Sequence, residues 1–168
     1  IISGLIITTG ITFAGQRYSK DVTSEISSHL IRFHLIANSD TIEDQQMKEH
    51  IRDVVLDYMS PLLKESASMA ETRSIIRSET PNIEQLSHDI ITRWGKNYSV
   101  EVLLGQANFP TKQYGDIILP AGEYEACRII IGEGKGQNWW CVMFPPLCYV
   151  DVTHDIVASE HKAHLQKT

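Results

Sequence analysis

At Gly95 the hydrophobic period of the chain changes, and that change restricts the folds open to it. Before Gly95 the apolar residues recur at helical spacing; after it they alternate, as in strands with two distinct faces. From residue 41 to about 64, Ile42, Met47, Ile51, Val54, Val55, Tyr58 and Leu62 predict an amphipathic helix. Asn38, Ser39 and Asp40 precede it as a turn with N-cap chemistry, and Glu43, Asp44 and Glu49 sit early, where the helix dipole favours acids. Pro61 is expected to kink or end that helix near its last turns. A shorter helix is predicted over 69–77. A third opens at Thr80-Pro81, carries Ile83, Leu86, Ile90, Ile91 and Trp94 on one face, and stops at Gly95.

The alternating segments are 98–104, 115–119, 124–131 and 139–144, bounded by Gly and Pro, and they read as an antiparallel meander. One more strand, 30–37, lies before the helices. It puts Leu30, Arg32 and His34 on one face and Ile31, Phe33 and Leu35 on the other, so one face is expected to be apolar. Helical and strand runs segregated along the chain imply an α+β fold: a mainly antiparallel sheet with helices packed on one face.

Residues 1–15 carry no charge at all, in a chain of 168 residues. That stretch is short of the roughly 20 apolar residues of a spanning helix but matches the apolar region of a signal peptide. It is therefore expected to serve export or membrane anchoring, followed by a linker over 16–28, a single α+β domain over 29–151 and a polar tail over 152–168. The formal net charge of −6, with no run of Lys or Arg, argues against nucleic acid as a partner.

Few residues carry recognisable chemistry. The glycine-rich segment Gly132-Glu133-Gly134-Lys135-Gly136 leads into a strand, not a helix, so it is neither a P-loop nor a dinucleotide fingerprint. It is expected to be a hairpin joining 124–131 to 139–144, with glycines supplying positive φ. Of the three cysteines, Cys141 and Cys148 flank Pro145-Pro146, a turn that can bring them together. They either form a disulfide in an oxidising compartment or remain buried thiols beside Cys127; their spacing is not a metal-binding one.

His34, with Arg32 and Asp40 close in sequence, is the one acid/base set open to a secreted hydrolase or amidase, though no nucleophile motif accompanies it. His154, His161 and His164 lie in the polar tail and read as solvated. Glu123 and Glu125 share a strand face and suit a surface. No catalytic residue, cofactor or metal is expected.

Three segments resemble one family: RFHLIANSD over 32–40, FPTKQYGDIILPAGEYEA over 109–126, and GEGKGQNWWCVMFPPLC over 132–148. Together they resemble the stage II sporulation protein R family of endospore-forming bacteria. The resemblance runs over about residues 30–151 and leaves out the tail. It implies a protein made in the forespore and exported into the space between the two sporulation membranes. There it would trigger a membrane-embedded aspartic protease of the mother cell, which removes the pro-sequence of sigma-E. The resemblance implies a protease activator, not an enzyme, and transfers no catalytic residue.

On the residues themselves, the candidates for partner contact are Trp139, Trp140, Lys135 and Tyr114, on loops and strand ends expected to be exposed. Trp139 and Trp140 are adjacent in a strand, so they point to opposite faces. Either one faces outward as an anchor or both are covered.

Overall fold

The computed structural model describes residues 25–149. The expectations for the uncharged start, most of the linker and the polar tail lie outside the described residues. The order of elements is β1 (Ile31–Ile36), α1 (Ile42–Lys64), α2 (Met69–Arg93), β2 (Val100–Phe109), β3 (Lys112–Tyr114), β4 (Ile117–Leu119), β5 (Gly122–Ile131) and β6 (Asn138–Phe144), then a 3-10 turn at Leu147–Tyr149. The fold is α+β, with one four-stranded sheet in the order β2-β5-β1-β6 and a two-stranded sheet β3-β4.

The meander expected from the sequence is not what forms. β5 and β6 are not neighbours, because β1 lies between them, parallel to β5 and antiparallel to β6. The glycine-rich segment is accordingly a crossover over the end of β1, not a hairpin. It is laid down by backbone bonds from Gly136 N to Ala37 O (2.9 Å) and from Lys135 N to Asn38 O (3.2 Å). Gly132 has φ +56°, and a Cβ there would strike the Asn38 side chain; a Cβ on Gly136 would strike the Ser39 carbonyl. Close approach of two backbones, together with the left-handed conformation at Gly132, therefore requires these glycines. Asn38-Ser39-Asp40 does more than lead into a helix. Asn38 Oδ1 accepts from Glu133 N (3.0 Å) and Asp40 Oδ1 accepts from Gln137 N (2.7 Å). The N-cap itself is Thr41, whose side chain accepts from Asp44 N.

The strand expected over 115–119 is also not in the main sheet; its residues contribute β4, which pairs with β3 alone. These two short strands form an excursion between β2 and β5, which otherwise pair along their full length, from Val100 opposite Ile131 to Phe109 opposite Gly122.

The two helices expected over 69–77 and from 80 onward are one, α2, running through Pro81. Pro81 and Arg77, the residue whose carbonyl loses its amide partner, both lie on the exposed side of α2, so water can take that bond. Ile76 and Ile83, on the inner side, are fully buried and hold the helix on the sheet. Pro61 is likewise exposed and internal to α1. In α1 the buried stripe is Met47, Ile51, Val55, Met59 and Leu63, whereas Ile42 and Leu62 face solvent.

Both helices cover one face of the sheet. The main core contains Ile31, Phe33 and Leu35 of β1, Val102 of β2, Cys127, Ile129 and Ile131 of β5, and Cys141 and Met143 of β6. Arg73 on α2 donates to both carboxylate oxygens of Glu125 on β5 at 2.7 Å, fastening helix to sheet. That pairing holds the Glu125 carboxyl below its ordinary range. Glu123 stays exposed, so the two acids do not act as a pair.

Candidate functional site

Neither α1 nor α2 lies on the other face of the sheet; the helical turn at 25–27, which leads into β1, sets Ile26 against the smaller core there. Strand alternation puts Arg32 and His34 of β1, Tyr124, Ala126 and Arg128 of β5, and Trp140 and Val142 of β6 on this face, with Gly105 and Phe109 of β2. One end of it is covered by the β3-β4 excursion, where Leu119 and Tyr114 pack with Leu30, Phe109, Tyr124 and Val142 in a second, smaller core. Ile117 and Ile118 on that excursion remain exposed.

Arg32 lies at the centre of this face and is fully buried. The sequence pattern placed it on a polar, wetted side of its strand; instead both sides of β1 are enclosed. Its guanidinium carbon lies 4.1 Å from the Phe109 ring centroid, 4.8 Å from Tyr124 and 5.7 Å from Tyr114. Its Nη2 donates to the Tyr114 hydroxyl at 2.7 Å. Cation–π contact with aromatic rings, each worth about 0.5–2 kcal/mol, offsets part of the cost of burying the charge. No carboxylate is within ion-pair distance of Arg32 or Arg128 among the described residues. Arg32 Nε and Nη1 and Arg128 Nε are buried without a hydrogen-bond partner.

His34 stacks on Trp140, ring centroids 3.8 Å apart, and contacts Phe109 edge-on. Its Nε2 donates to Asn138 Oδ1 at 2.8 Å, and Nδ1 has no partner. Burial lowers the His34 pKa; the Asn138 bond opposes that shift, and the nearby Arg128 and Arg32 charges add to it. His34 is thus held neutral, locked in place by a stacked indole. Asp40 is not brought to it, being bound to Gln137 N in the turn after β1. His34, Arg32 and Asp40 do not form an acid/base set. Cys127 offers no nucleophile either, since full burial pushes its thiol up to about 12.

The four residues singled out for partner contact separate. Tyr114 and Trp140 both belong to the face away from α1 and α2, around Arg32 and His34. Trp139 turns to the helix side, where the Arg52 guanidinium lies 4.2 Å from its ring centroid. Lys135 is exposed on the glycine crossover, paired with Glu133 at 2.6 Å. Cys141 and Cys148 are joined by a disulfide that pins the 3-10 turn to edge strand β6. Sequence reasoning missed Arg128 and Phe109. The available signal was the placement of arginines at inward-alternating positions of two strands otherwise dense in Ile, Leu and Val.

Among the described residues, no group of three or more His, Cys, Asp or Glu is placed to hold a metal, and no helix is long and apolar enough to cross a membrane.

No solved structure matches the chain. The curated stage II sporulation protein R of Bacillus subtilis (strain 168) is 38% identical over 162 residues, covering 96% of this chain and 72% of the relative. The family model for stage II sporulation protein R matches residues 27–154, which takes in both faces of the sheet and the arginine-centred site. The chain belongs to the stage II sporulation protein R family.

Proposed function

We propose that the chain is an exported sporulation signal that acts by binding, and that its receptor is the membrane-embedded aspartic protease that processes pro-sigma-E. Membership of a sporulation family supplies the process. The observation that favours binding over catalysis is the sheet face away from α1 and α2: among the described residues its one imidazole is buried, neutral and stacked on an indole, with no carboxylate or nucleophile beside it. Where that face is partly exposed it presents Trp140, Arg128, Leu103, Ile36 and Ile130, an aromatic, arginine and apolar mixture suited to a protein contact. In this reading the uncharged stretch 1–15 carries export across the forespore membrane, contacting that membrane in passage, and the folded domain acts in the intermembrane space. No cofactor takes part.

Deletion of the gene in a spore-forming host, followed by immunoblotting for pro-sigma-E, tests the proposal. Accumulation of the unprocessed form, reversed by the wild-type chain, is the expected result. Normal processing in the deletion strain would end this reading.

A further inference from the structure

We infer that the sheet face away from α1 and α2 takes a carboxylate, borne on an apolar segment of the protein partner, against Arg128, with Arg32 behind it. The inference rests on the binding reading above and deepens it by naming the chemistry of the contact. Three observations converge on it.

The first is uncompensated charge. In a chain of formal net charge −6, two guanidiniums share one sheet face and neither has a carboxylate partner among the described residues. Elsewhere the arginine anchoring α2, Arg73, has its acid in bidentate contact. A buried guanidinium nitrogen without an acceptor is costly, and three such nitrogens lie on this face. A carboxylate is the planar, singly charged acceptor that fits a guanidinium edge.

The second is room. Arg128 stands opposite Leu103 of β2 and His34 of β1, and the next row of the sheet runs Gly105, Ala126, Arg32. Ala126 is enclosed, but half-buried Gly105 beside it leaves the floor low next to Arg128, and a Cβ built on Gly105 meets nothing within 4 Å.

The third is the apolar rim. Ile36, Leu103, Ile130 and Trp140 share this face and are only half-buried. A free dianion such as phosphate would lose its hydration there for little return, whereas an acidic side chain on an apolar peptide would satisfy both Arg128 and the rim, with the buried Arg32 charge adding to the attraction.

Arg128 is only half-buried and packs in neither hydrophobic core, so its replacement should leave the domain folded. Arg128→Gln, Arg128→Lys and Arg128→Glu are introduced into the full chain in sporulating cells, with Arg93→Gln, an exposed change of equal charge on α2, as the control. Pro-sigma-E processing and the amount of each chain are read by immunoblot. At unchanged chain levels, Arg128→Gln is expected to slow processing by about tenfold or more, Arg128→Glu to abolish it, and Arg128→Lys to fall between, with Arg93→Gln unaffected. Full processing by Arg128→Gln, in a host where deletion blocks it, overturns the inference and leaves the proposed function standing. Normal processing on deletion overturns the proposed function itself. A second arm measures binding of the full chain to phosphatidylcholine vesicles with and without phosphatidylglycerol. Binding that needs the anionic lipid and is lost in Arg128→Gln would assign the face to lipid headgroups and overturn the protein carboxylate. Equal binding to both vesicles, unchanged in Arg128→Gln, supports it.

Discussion

The two faces of the sheet share the same strands, and neighbouring residues of β1 go to opposite sides. Ile31, Phe33 and Leu35 meet two helices; Arg32 and His34 meet aromatic rings and a short excursion. The helix side is closed by apolar burial and by an arginine paired with its glutamate. The other side buries an arginine with no acid beside it among the described residues. Burial of similar depth therefore serves two ends: on one side it supplies stability, on the other it holds charge in place at a cost that stability alone does not explain.

The helix side should respond most severely to substitution. Phe33→Ala removes a fully buried ring from the central strand, and urea unfolding is expected to register a loss of about 3–5 kcal/mol. That is a large part of what holds a domain together. A loss under about 1 kcal/mol would mean that the helix layer is not the main source of stability.

Arg32 sharpens the contrast, with a smaller effect. Arg32→Ala should cost about 2–4 kcal/mol through the cavity left among Phe109, Tyr114 and Tyr124. Arg32→Met, which fills that volume without the charge, should cost less than about 1.5 kcal/mol. Equal losses for the two variants, measured by the same unfolding experiment, would show that the cation–aromatic contact and not the volume holds this face.

The smallest effect is in pH dependence, where the faces should separate by window. The folded-state pKa of His34 is lowered, so the unfolded chain binds the proton first. Stability from keeping it neutral is complete above the unfolded value of about 6.5 and declines as pH falls toward the folded value. Glu125, also lowered, contributes above its unfolded value of about 4.3 and loses that contribution only as pH falls below it. Unfolding free energy followed from pH 7 downward should thus fall in two stages. His34→Gln should remove the first stage and Glu125→Gln the second. Asp44 adds to the second: burial alone would raise its carboxyl, but hydrogen bonds from Asn38, Ser39 and Tyr98 hold it low. A single stage unaffected by His34→Gln would remove the distinction between the faces.

Much of this architecture is legible in the sequence. Period alone locates α1, β1, β5 and β6 to within a residue or two, and the α+β class follows from their order. What period cannot convey is which strands are neighbours. Alternation assigns a residue to a face, and the glycines of 132–136 suit a crossover as well as a hairpin, so the insertion of β1 between β5 and β6 was not readable. Pro81 misled for a physical reason: its lost hydrogen bond falls on the wet side of α2, where it costs least. In the candidate site, Trp140 and Tyr114 stood out by residue type. Arg32 and Arg128 did not, because a charged residue at an alternating position is ordinarily a solvated one.

The insertion of β1 also dictates an order of events for the chain as it leaves a ribosome or a translocation pore. The first strand of the domain takes the middle of the sheet, yet the strands on either side of it are β5 and β6, the last two to appear. Helices α1 and α2 have no completed surface to settle on until then. Contacts so distant along the chain are slow to form and cannot be assembled piecemeal. A domain of this topology cannot close its sheet until β6 has emerged, and a polypeptide kept open that long can be threaded through a membrane and fold on the far side.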